Sequence, residues 1–285
     1  MGRSWVFLGD SLTEGVGSRR ISHVSELAQQ LRSKGCPGCA NVHEFRLRPI
    51  DAAANGQQID FNIAGWMSVG RQHDSSDLWL WNLGCEGKTI DSDFAWLPLI
   101  AALRPETVVI FRGSLESIIR PAVLRDDGWP SWVPASWRGY AAMDPRCYFS
   151  TTWWRKAKQA SVDRLKQKAR LKLLAAREGR PLMDADVLAA QLASLLKELH
   201  TLSARVLVLG LLPVGERCFP GSAEHFKSVN AKLRTVATAE SAEFFDWGAL
   251  LAERGRHEDL FYRDTFHPNA AGGRALAEIL QTRLC

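Results

Sequence analysis

The sequence predicts a three-layer α/β fold with a mostly parallel central sheet, and two observations carry this prediction. Short apolar runs that are typical of buried strands recur along the chain, at residues 5–8, 78–83, 107–111, 205–211 and 242–246. Apolar residues at helical spacing lie between and after several of these runs, at residues 184–202, 223–239 and 270–284. Strands that alternate with helices indicate a parallel sheet covered by helices on both faces.

The segment after the first strand predicts a turn and then a helix. Val24, Leu27 and Leu31 recur at helical spacing. Ser22 is a suitable N-cap for this helix, and Gly35 is a suitable stop.

Residues 120–180 interrupt the alternation of strands and helices. The first part is rich in proline and tryptophan, with Trp129, Pro130, Trp132, Pro134, Trp137, Trp153 and Trp154. Basic residues then dominate 155–180, where apolar residues again recur at helical spacing. We therefore interpret residues 1–285 as a single domain with a helical cap inserted at about 120–180.

Composition narrows the class of protein. The chain has 285 residues, 46% of them hydrophobic and 24% charged, which is typical of globular proteins that bury one core. No apolar stretch approaches the roughly 20 residues of a membrane span, and no nucleic-acid-binding module is recognised. The net charge of +5 is concentrated in 155–180, so we expect an anionic substrate or an acyl carrier to meet the chain there. The first residues lack the apolar run of a secretory signal, which predicts a cytoplasmic protein.

The six cysteines are too sparse to form a disulfide framework. Cys36 and Cys39 are the only close pair, and we interpret them as two thiols in a turn. With His43 they offer the alternative of a metal or redox site, but no second Cys/His pair at zinc spacing follows. We expect no cofactor and no resident metal.

Two short motifs at opposite ends of the chain suit a serine nucleophile. Ser11 lies in a Gly-Asp-Ser-Leu turn directly after the first strand, where a side chain is exposed at the carboxyl edge of the sheet. Asp264 precedes His267 by three residues, so its carboxylate can orient the imidazole toward a nucleophile. A serine hydroxyl needs such a base because it is a poor nucleophile at neutral pH. Each motif alone also fits an ordinary turn.

Together, the motifs resemble the first and last signature blocks of the SGNH hydrolases, also called the GDSL family. The blocks are Gly-Asp-Ser-Leu around Ser11 and Asp-x-x-His-Pro from Asp264 to Pro268, and they span nearly the whole chain. The resemblance implies a flavodoxin-like α/β/α sandwich. It also implies that Ser11 attacks an ester carbonyl, that His267 is the general base and that Asp264 steadies His267.

A second block of the family contains a glycine whose N–H joins the oxyanion hole, in a pattern like Asn-Leu-Gly-x-x-Gly. Residues 82–87 match this pattern. The resemblance therefore implies that the backbone N–H groups of Ser11 and Gly87 bind the oxyanion. Gly84 and Gly87 also fit a simple turn.

The third block departs from the family pattern. The family has Gly-x-Asn-Asp after a strand, with the Asn amide as an oxyanion donor, whereas this chain has Leu115 in place of the Asn. Three interpretations stay open: an oxyanion hole with two donors, a replacement donor such as Ser114 or Arg120, or a member that has lost hydrolysis. Gly113, Glu116 and Arg120 also resemble a Gly-x-x-Asp-x-x-x-Arg variant of glycan-modifying SGNH proteins. A Glu–Arg pair four residues apart fits a helix-surface ion pair equally well.

The sequence thus predicts a serine-dependent carboxylic ester hydrolase or O-acyltransferase that forms a Ser11 acyl-enzyme. We expect a small acyl or acetyl ester of a sugar or related metabolite as substrate. The candidate substrate-binding residues are Asp10, Glu116, Arg120, Trp153 and Trp154. Tryptophan rings stack on sugars or line acyl pockets, but they also form the apolar face of inserted helices. The alternative function is a non-catalytic binding or scaffolding protein with the same fold, which the missing Asn motivates.

Overall fold

The computed structural model describes residues 3–15, 22–35, 39–46, 76–122, 128–139, 142–145, 147, 152–202 and 204–285. Its strands are β1 (Arg3–Gly9), β2 (Val42–Arg46), β3 (Leu78–Asn82), β4 (Thr107–Phe111), β5 (Arg120–Pro121), β6 (Gly179–Arg180), β7 (Arg205–Leu209) and β8 (Glu243–Phe245). Within the described residues, six strands form a parallel sheet in the order β2-β3-β1-β4-β7-β8. The pair β5 and β6 forms a separate antiparallel sheet.

All five predicted strands are present in the central sheet. The sixth strand, β2, was not predicted, because it is an edge strand with one buried apolar residue, Val42, followed by partly exposed residues that include His43, Glu44 and Arg46. A polar edge strand contains no apolar run, and an apolar run is the signal that identifies a buried strand in a sequence. By contrast, every residue of β3 and β4 is buried, as parallel strands covered on both faces require.

Helices cover the sheet on both sides. They are α1 (Ser11–Glu14), α2 (His23–Lys34), α3 (Leu97–Leu103), α4 (Ser114–Ser117), α5 (Trp153–Ala176), α6 (Ala185–His200), α7 (Ser222–Ala239), α8 (Trp247–Ala252), α9 (His257–Leu260) and α10 (Ala270–Leu284), with 3-10 segments at Ile90–Trp96 and Ala135–Trp137. On one side α2 packs against α10, which contacts α8; on the other side α6 packs against α7. The predicted α/β/α sandwich is therefore confirmed, and Ser22 caps α2 as expected. In the described part of the chain, no helix is both long and apolar enough to cross a membrane.

The sheet topology brings three loops to one edge. Strand β1 lies between β3 and β4, and its last residue, Gly9, is paired with Phe111 at the end of β4. Since all three strands are parallel, the loops that follow them leave the sheet at the same edge. These loops contain Ser11, Gly87 and Leu115, so the three family blocks become neighbours through the fold.

The described residues between 120 and 180 contribute no strand to the central sheet. The pairing of β5 with β6 joins the two ends of this segment, and α5 lies between them. A small apolar cluster of its own, formed by Val133, Met143, Ala169 and Leu173, is separate from the main core. This arrangement agrees with an insertion at about 120–180, although the single-domain interpretation stays a prediction.

Candidate active site

The turn after β1 holds Ser11 at the start of a one-turn helix. Asp10 is the N-cap of α1, and its Oδ1 accepts a hydrogen bond from the Leu12 N–H at 2.9 Å. Gly9 is required by close packing, because a Cβ there would lie 2.0 Å from the Thr13 Oγ1. The backbone is therefore fixed on both sides of Ser11, and the hydroxyl faces the loop before α10.

That loop presents His267 to Ser11. The His267 Nε2 lies 3.0 Å from the Ser11 Oγ, and the His267 Nδ1 lies 2.6 Å from the Asp264 Oδ2. The other carboxylate oxygen, Oδ1, accepts the N–H groups of Phe266 and His267 at 3.2 and 3.1 Å. Asp264 thus binds the backbone and the ring of the same histidine, which fixes the orientation of the imidazole.

Asp264 and His267 differ in how far their side chains are exposed to solvent. The Asp264 side chain is buried, whereas the His267 side chain retains 15% of its exposure. A carboxylate shielded from water interacts strongly with the imidazole, because the surroundings have a low dielectric constant. The partly open His267 stays accessible to a substrate, so the trio has the geometry of a nucleophile, a base and an orienting acid.

The second block lies directly against the nucleophile turn. The Cys85 N–H donates to the Gly9 carbonyl at 2.9 Å, and the Glu86 N–H donates to the Glu14 carboxylate at 2.7 Å. A Cβ on Gly84 would lie 2.5 Å from the Glu14 backbone nitrogen, so only glycine allows this approach. Gly87 follows with a positive φ of 71°. Its place in the oxyanion hole stays a prediction.

The third block also reaches the turn, but through its backbone. Burial raises the pKa of the Asp10 carboxyl. A hydrogen bond from the Leu115 N–H is among the smaller effects that oppose this rise. The Ser114 Oγ is buried and has no hydrogen-bond partner among the described residues. Arg120 donates to the Asp144 carboxylate at 2.7 Å and to the Leu115 carbonyl at 3.3 Å. Ser114 or Arg120 as a third oxyanion donor stays a prediction.

A buried cluster of charged groups lies beneath the three loops. The Arg112 guanidinium donates to both carboxylate oxygens of Asp93 and to the Lys88 carbonyl. Arg112 directly follows β4, so these hydrogen bonds hold the end of β4 against the segment after Gly87. Burial lowers the pKa of Arg112, but the bound Asp93 carboxylate, with smaller contributions from Glu116 and Asp10, raises it above the ordinary value. Neither Arg112 nor Asp93 was predicted from the sequence, although a charged residue directly after the buried strand β4 was a signal for Arg112.

Glu116 belongs to this cluster and does not pair with Arg120. Its Oε1 accepts the Ile90 N–H at 2.8 Å, and its side chain is fully buried. Burial raises the pKa of Glu116 to about 7, with a further contribution from the nearby Asp10 carboxylate. The alternative of a helix-surface ion pair between Glu116 and Arg120 is wrong, since α4 ends at Ser117 and Arg120 binds Asp144. Asp10, Glu116 and Arg120 are all buried, and substrate binding by these three residues stays a prediction.

Helix α5 is anchored beside the loop of Asp264. The Asp163 carboxylate binds the Arg263 guanidinium at 2.6 Å, and the Gln167 amide donates to the Arg217 carbonyl at 2.8 Å. The Arg170 guanidinium lies over the Phe219 ring at 4.5 Å. These contacts use one side of the helix and attach it next to the catalytic candidates.

The first turn of α5 carries the two tryptophans proposed to bind substrate. Trp153 is 79% exposed and Trp154 is 49% exposed. The Arg155 guanidinium lies over the Trp154 ring at 5.0 Å. Of the apolar residues whose spacing predicted this helix, Ala169 and Leu173 are buried, whereas Leu165 is 55% exposed. Substrate binding by Trp153 and Trp154 stays a prediction.

Two groups of side chains have the donor types of metal ligands: the set of Cys36, Cys39 and His43 noted in the sequence, and a second set near Ser11. Cys36 lies outside the described residues, Cys39 accepts a hydrogen bond from Arg3, and the His43 ring lies 3.3 Å from the Asp77 carboxylate. Elsewhere in the described part of the chain, one set of three such side chains converges: Cys147, Asp264 and His267.

Comparison with known proteins agrees with this geometry. No curated protein sequence matches the chain. The fold is similar to that of TesA, with 18% identity, a TM-score of 0.53, and 99% of this chain and 98% of TesA covered. It is also similar to a lipase/acylhydrolase from Enterococcus faecalis, with 12% identity, a TM-score of 0.55 and coverage of 99% and 95%. For the acetyl xylan esterase AlAXEase the identity is 14%, the TM-score 0.53 and the coverage 99% and 100%.

At such identities these likenesses establish the fold alone. The model of the GDSL-like lipase/acylhydrolase family, however, matches residues 7–275. This match contains the turn of Ser11, the two following blocks and the loop of Asp264 and His267. The chain therefore belongs to the GDSL-like lipase/acylhydrolase family and is an SGNH-type serine esterase.

Proposed function

We propose that the protein cleaves carboxylic esters through an acyl-enzyme on Ser11. The observation that carries the proposal is the continuous hydrogen-bonded series from Ser11 Oγ to His267 Nε2 and from His267 Nδ1 to Asp264. His267 takes the hydroxyl proton as the Ser11 Oγ attacks the ester carbonyl, and Asp264 stabilises the resulting imidazolium. His267 then gives the proton to the leaving alcohol. Water or an acceptor alcohol, activated by His267, releases the acyl group from Ser11.

The proposed oxyanion hole consists of the backbone N–H groups of Ser11 and Gly87. Support comes from the hydrogen bond between Cys85 and Gly9, which holds the two loops side by side. A third donor is proposed at Ser114 or Arg120. Ser114 is the better candidate, because Arg120 already binds Asp144 and the Leu115 carbonyl. Loss of one such donor typically costs about 10²–10³ in rate.

The proposed substrate is a small acyl or acetyl ester of a sugar or related metabolite. The exposed Trp153 and Trp154 supply flat surfaces on which a sugar ring can stack. The acetyl xylan esterase with a similar fold acts on an acetylated sugar polymer, which motivates acetyl sugars as the first esters to assay. The basic surface of α5 favours an anionic substrate or an acyl carrier.

We further propose that the reaction takes place in the cytoplasm. None of the cysteines among the described residues forms a disulfide; they are Cys39, Cys85, Cys147, Cys218 and Cys285. Free thiols are typical of a reducing compartment. This proposed location rests on the cysteines alone.

A fluorophosphonate reagent tests the nucleophile. Wild-type protein is expected to be labelled covalently, and Ser11→Ala is expected to lose the label, with Ser161→Ala on the surface of α5 as the control. Absence of Ser11-dependent labelling in folded protein would favour the non-catalytic binding alternative.

A series of nitrophenyl esters then defines the acyl chain. Each ester is assayed with and without an added sugar acceptor, and the products are separated by mass spectrometry. Free acid alone identifies a hydrolase, whereas an acylated sugar identifies an acyltransferase. A rate that is fastest with long acyl chains would contradict the proposed small acyl group.

A further inference from the structure

Cys147 is a thiol beside the proposed base that ester cleavage does not use. It is buried and forms no disulfide, and its Sγ, a carboxylate oxygen of Asp264 and a ring nitrogen of His267 all lie within 4.8 Å of one another. A second observation agrees with this placement. Burial raises the pKa of the Tyr262 hydroxyl, and Cys147 and Asp264 both add to that effect.

The three donor types match one class of ligand. Thiolate, imidazole and carboxylate are the ligands of Zn²⁺ in proteins, at about 2.0–2.3 Å from the metal. Tetrahedral angles at such bond lengths place ligand atoms about 3.5 Å apart. Ligand atoms that now lie up to 4.8 Å apart would therefore approach by about 1 Å, whereas the Asp264 Oδ2 and the His267 Nδ1, which lie 2.6 Å apart, would separate by about 1 Å if the metal takes Nδ1. The partly exposed His267 gives solvent access.

We propose that Cys147, Asp264 and His267 bind Zn²⁺ reversibly and that the bound metal inhibits the enzyme. The inhibitory consequence rests on the proposed function, whereas the metal site itself does not. Cys147 binds as the thiolate and releases its proton to solvent, so no oxidant is involved. The fourth position is left for water.

Inhibition follows whichever ring nitrogen the metal takes. Nε2 is the atom that lies 3.0 Å from the Ser11 Oγ, so a metal there leaves no acceptor for the serine proton. Nδ1 is the atom that lies 2.6 Å from Asp264, so a metal there removes the group that orients the ring. Cys147 thereby gives the site an affinity for soft divalent metals that the serine, histidine and aspartate alone do not have.

Cys218 offers a matched control. It is also a buried, free thiol near the same loop, but its Sγ lies 3.8 Å from the Arg263 carbonyl and outside the group of three ligands. Replacing either cysteine by serine removes one sulfur atom and keeps the size of the side chain. A Cys147→Ala variant covers the case in which the serine variant does not fold.

The experiment titrates wild type, Cys147→Ser, Cys147→Ala and Cys218→Ser with Co²⁺ and with Zn²⁺ under reducing conditions. Co²⁺ reports thiolate ligation by a near-ultraviolet charge-transfer band, independently of turnover. Zn²⁺ inhibition is measured against the metal-free rate of each variant, and EDTA is added to test reversal. Circular dichroism checks that every variant is folded.

We expect the Co²⁺ band in wild type and Cys218→Ser and its loss in both Cys147 variants. The Zn²⁺ concentration for half inhibition is expected to rise at least about tenfold in the Cys147 variants. Equal bands, or equal inhibition in all folded proteins, would overturn the site. If the band depends on Cys147 but Ser11 reacts with no fluorophosphonate, the metal site stands and the proposed hydrolysis fails.

Discussion

The nucleophile turn and helix α5 both lie near the loop of Asp264, but they are held in different ways. In the turn, residues 11–14 are all buried, and the backbone of residues 83–86 packs against them through hydrogen bonds and a glycine contact. In α5, three side chains form the anchor, and most of the first turns are exposed. The difference separates two properties. The turn holds the catalytic groups in positions that leave little room for added atoms. The exposed surface of α5 can instead contact a substrate or a partner without disturbing those groups.

The largest expected effect is the loss of the base. His267→Ala is expected to lower kcat by roughly 10⁴-fold or more, because His267 is the one base hydrogen-bonded to the Ser11 hydroxyl among the described residues. Asp264→Ala is expected to retain more activity, since Asp264 orients the imidazole and transfers no proton. Steady-state rates on a nitrophenyl ester measure both, with His225→Ala as control. Wild-type-like rates in both variants would remove the triad.

A single methyl group is expected to disturb the turn. In Gly84→Ala the new Cβ would lie 2.5 Å from the Glu14 nitrogen, so the loop of Gly87 must move away from Ser11. We expect a loss of about 1–3 kcal/mol in the free energy of unfolding and roughly 10²-fold in kcat. Gly273→Ala in α10 is the matched control, because a Cβ there meets nothing within 4 Å. Equal effects of the two substitutions would show that the contact does not hold the turn.

The buried Glu116 is expected to make stability depend on pH. Its folded pKa of about 7 lies above the ordinary 4.5, so the folded state keeps a proton that the unfolded state releases between these values. The free energy of unfolding therefore falls as pH rises from 4.5 to 7, by up to about 3 kcal/mol, and is then constant. Glu116→Gln lacks this contribution and should give a flatter profile in urea unfolding.

Burial also raises the carboxyl pKa values of Asp10 and Asp93. These two residues therefore lower the free energy of unfolding with rising pH in wild type and in Glu116→Gln alike. The difference between wild type and variant therefore isolates Glu116. The exposed Glu178→Gln serves as the control. Parallel profiles for wild type and Glu116→Gln would mean that Glu116 titrates at its ordinary pKa.

The smallest effect on kcat/KM for a small ester is expected from substitutions on the exposed side of α5. Arg164→Glu combined with Lys168→Glu should leave kcat/KM for a small neutral ester unchanged. For an acidic acyl carrier protein at low salt, the same pair should lower kcat/KM by about tenfold. Lys197→Glu with Lys227→Glu gives the same change in net charge on α6 and α7. If both pairs act alike on the carrier, the effect comes from overall charge and not from the α5 surface.

The sequence sufficed for elements whose signals are local. Five strands and the helices α2, α6, α7 and α10 were predictable because each is a continuous apolar run or a helical spacing, with Ser22 as the cap of α2. The shorter helices α3 and α8 were not predicted. The edge strand β2 was missed because only Val42 is buried there. The exposure of Leu165 was missed for a related reason, since spacing predicts a helix but does not identify the side that its neighbours cover.

By itself, the sequence determined the α/β/α sandwich, the family, and which serine, histidine and aspartate to examine, because residue types and their spacing carry that information. Only the tertiary structure decided what surrounds them. The Arg112–Asp93 pair, the approach of Gly84 to Glu14, the anchoring of α5 at Arg263 and the position of Cys147 join residues far apart in the chain. Such contacts depend on how the elements pack, and no local pattern encodes that packing.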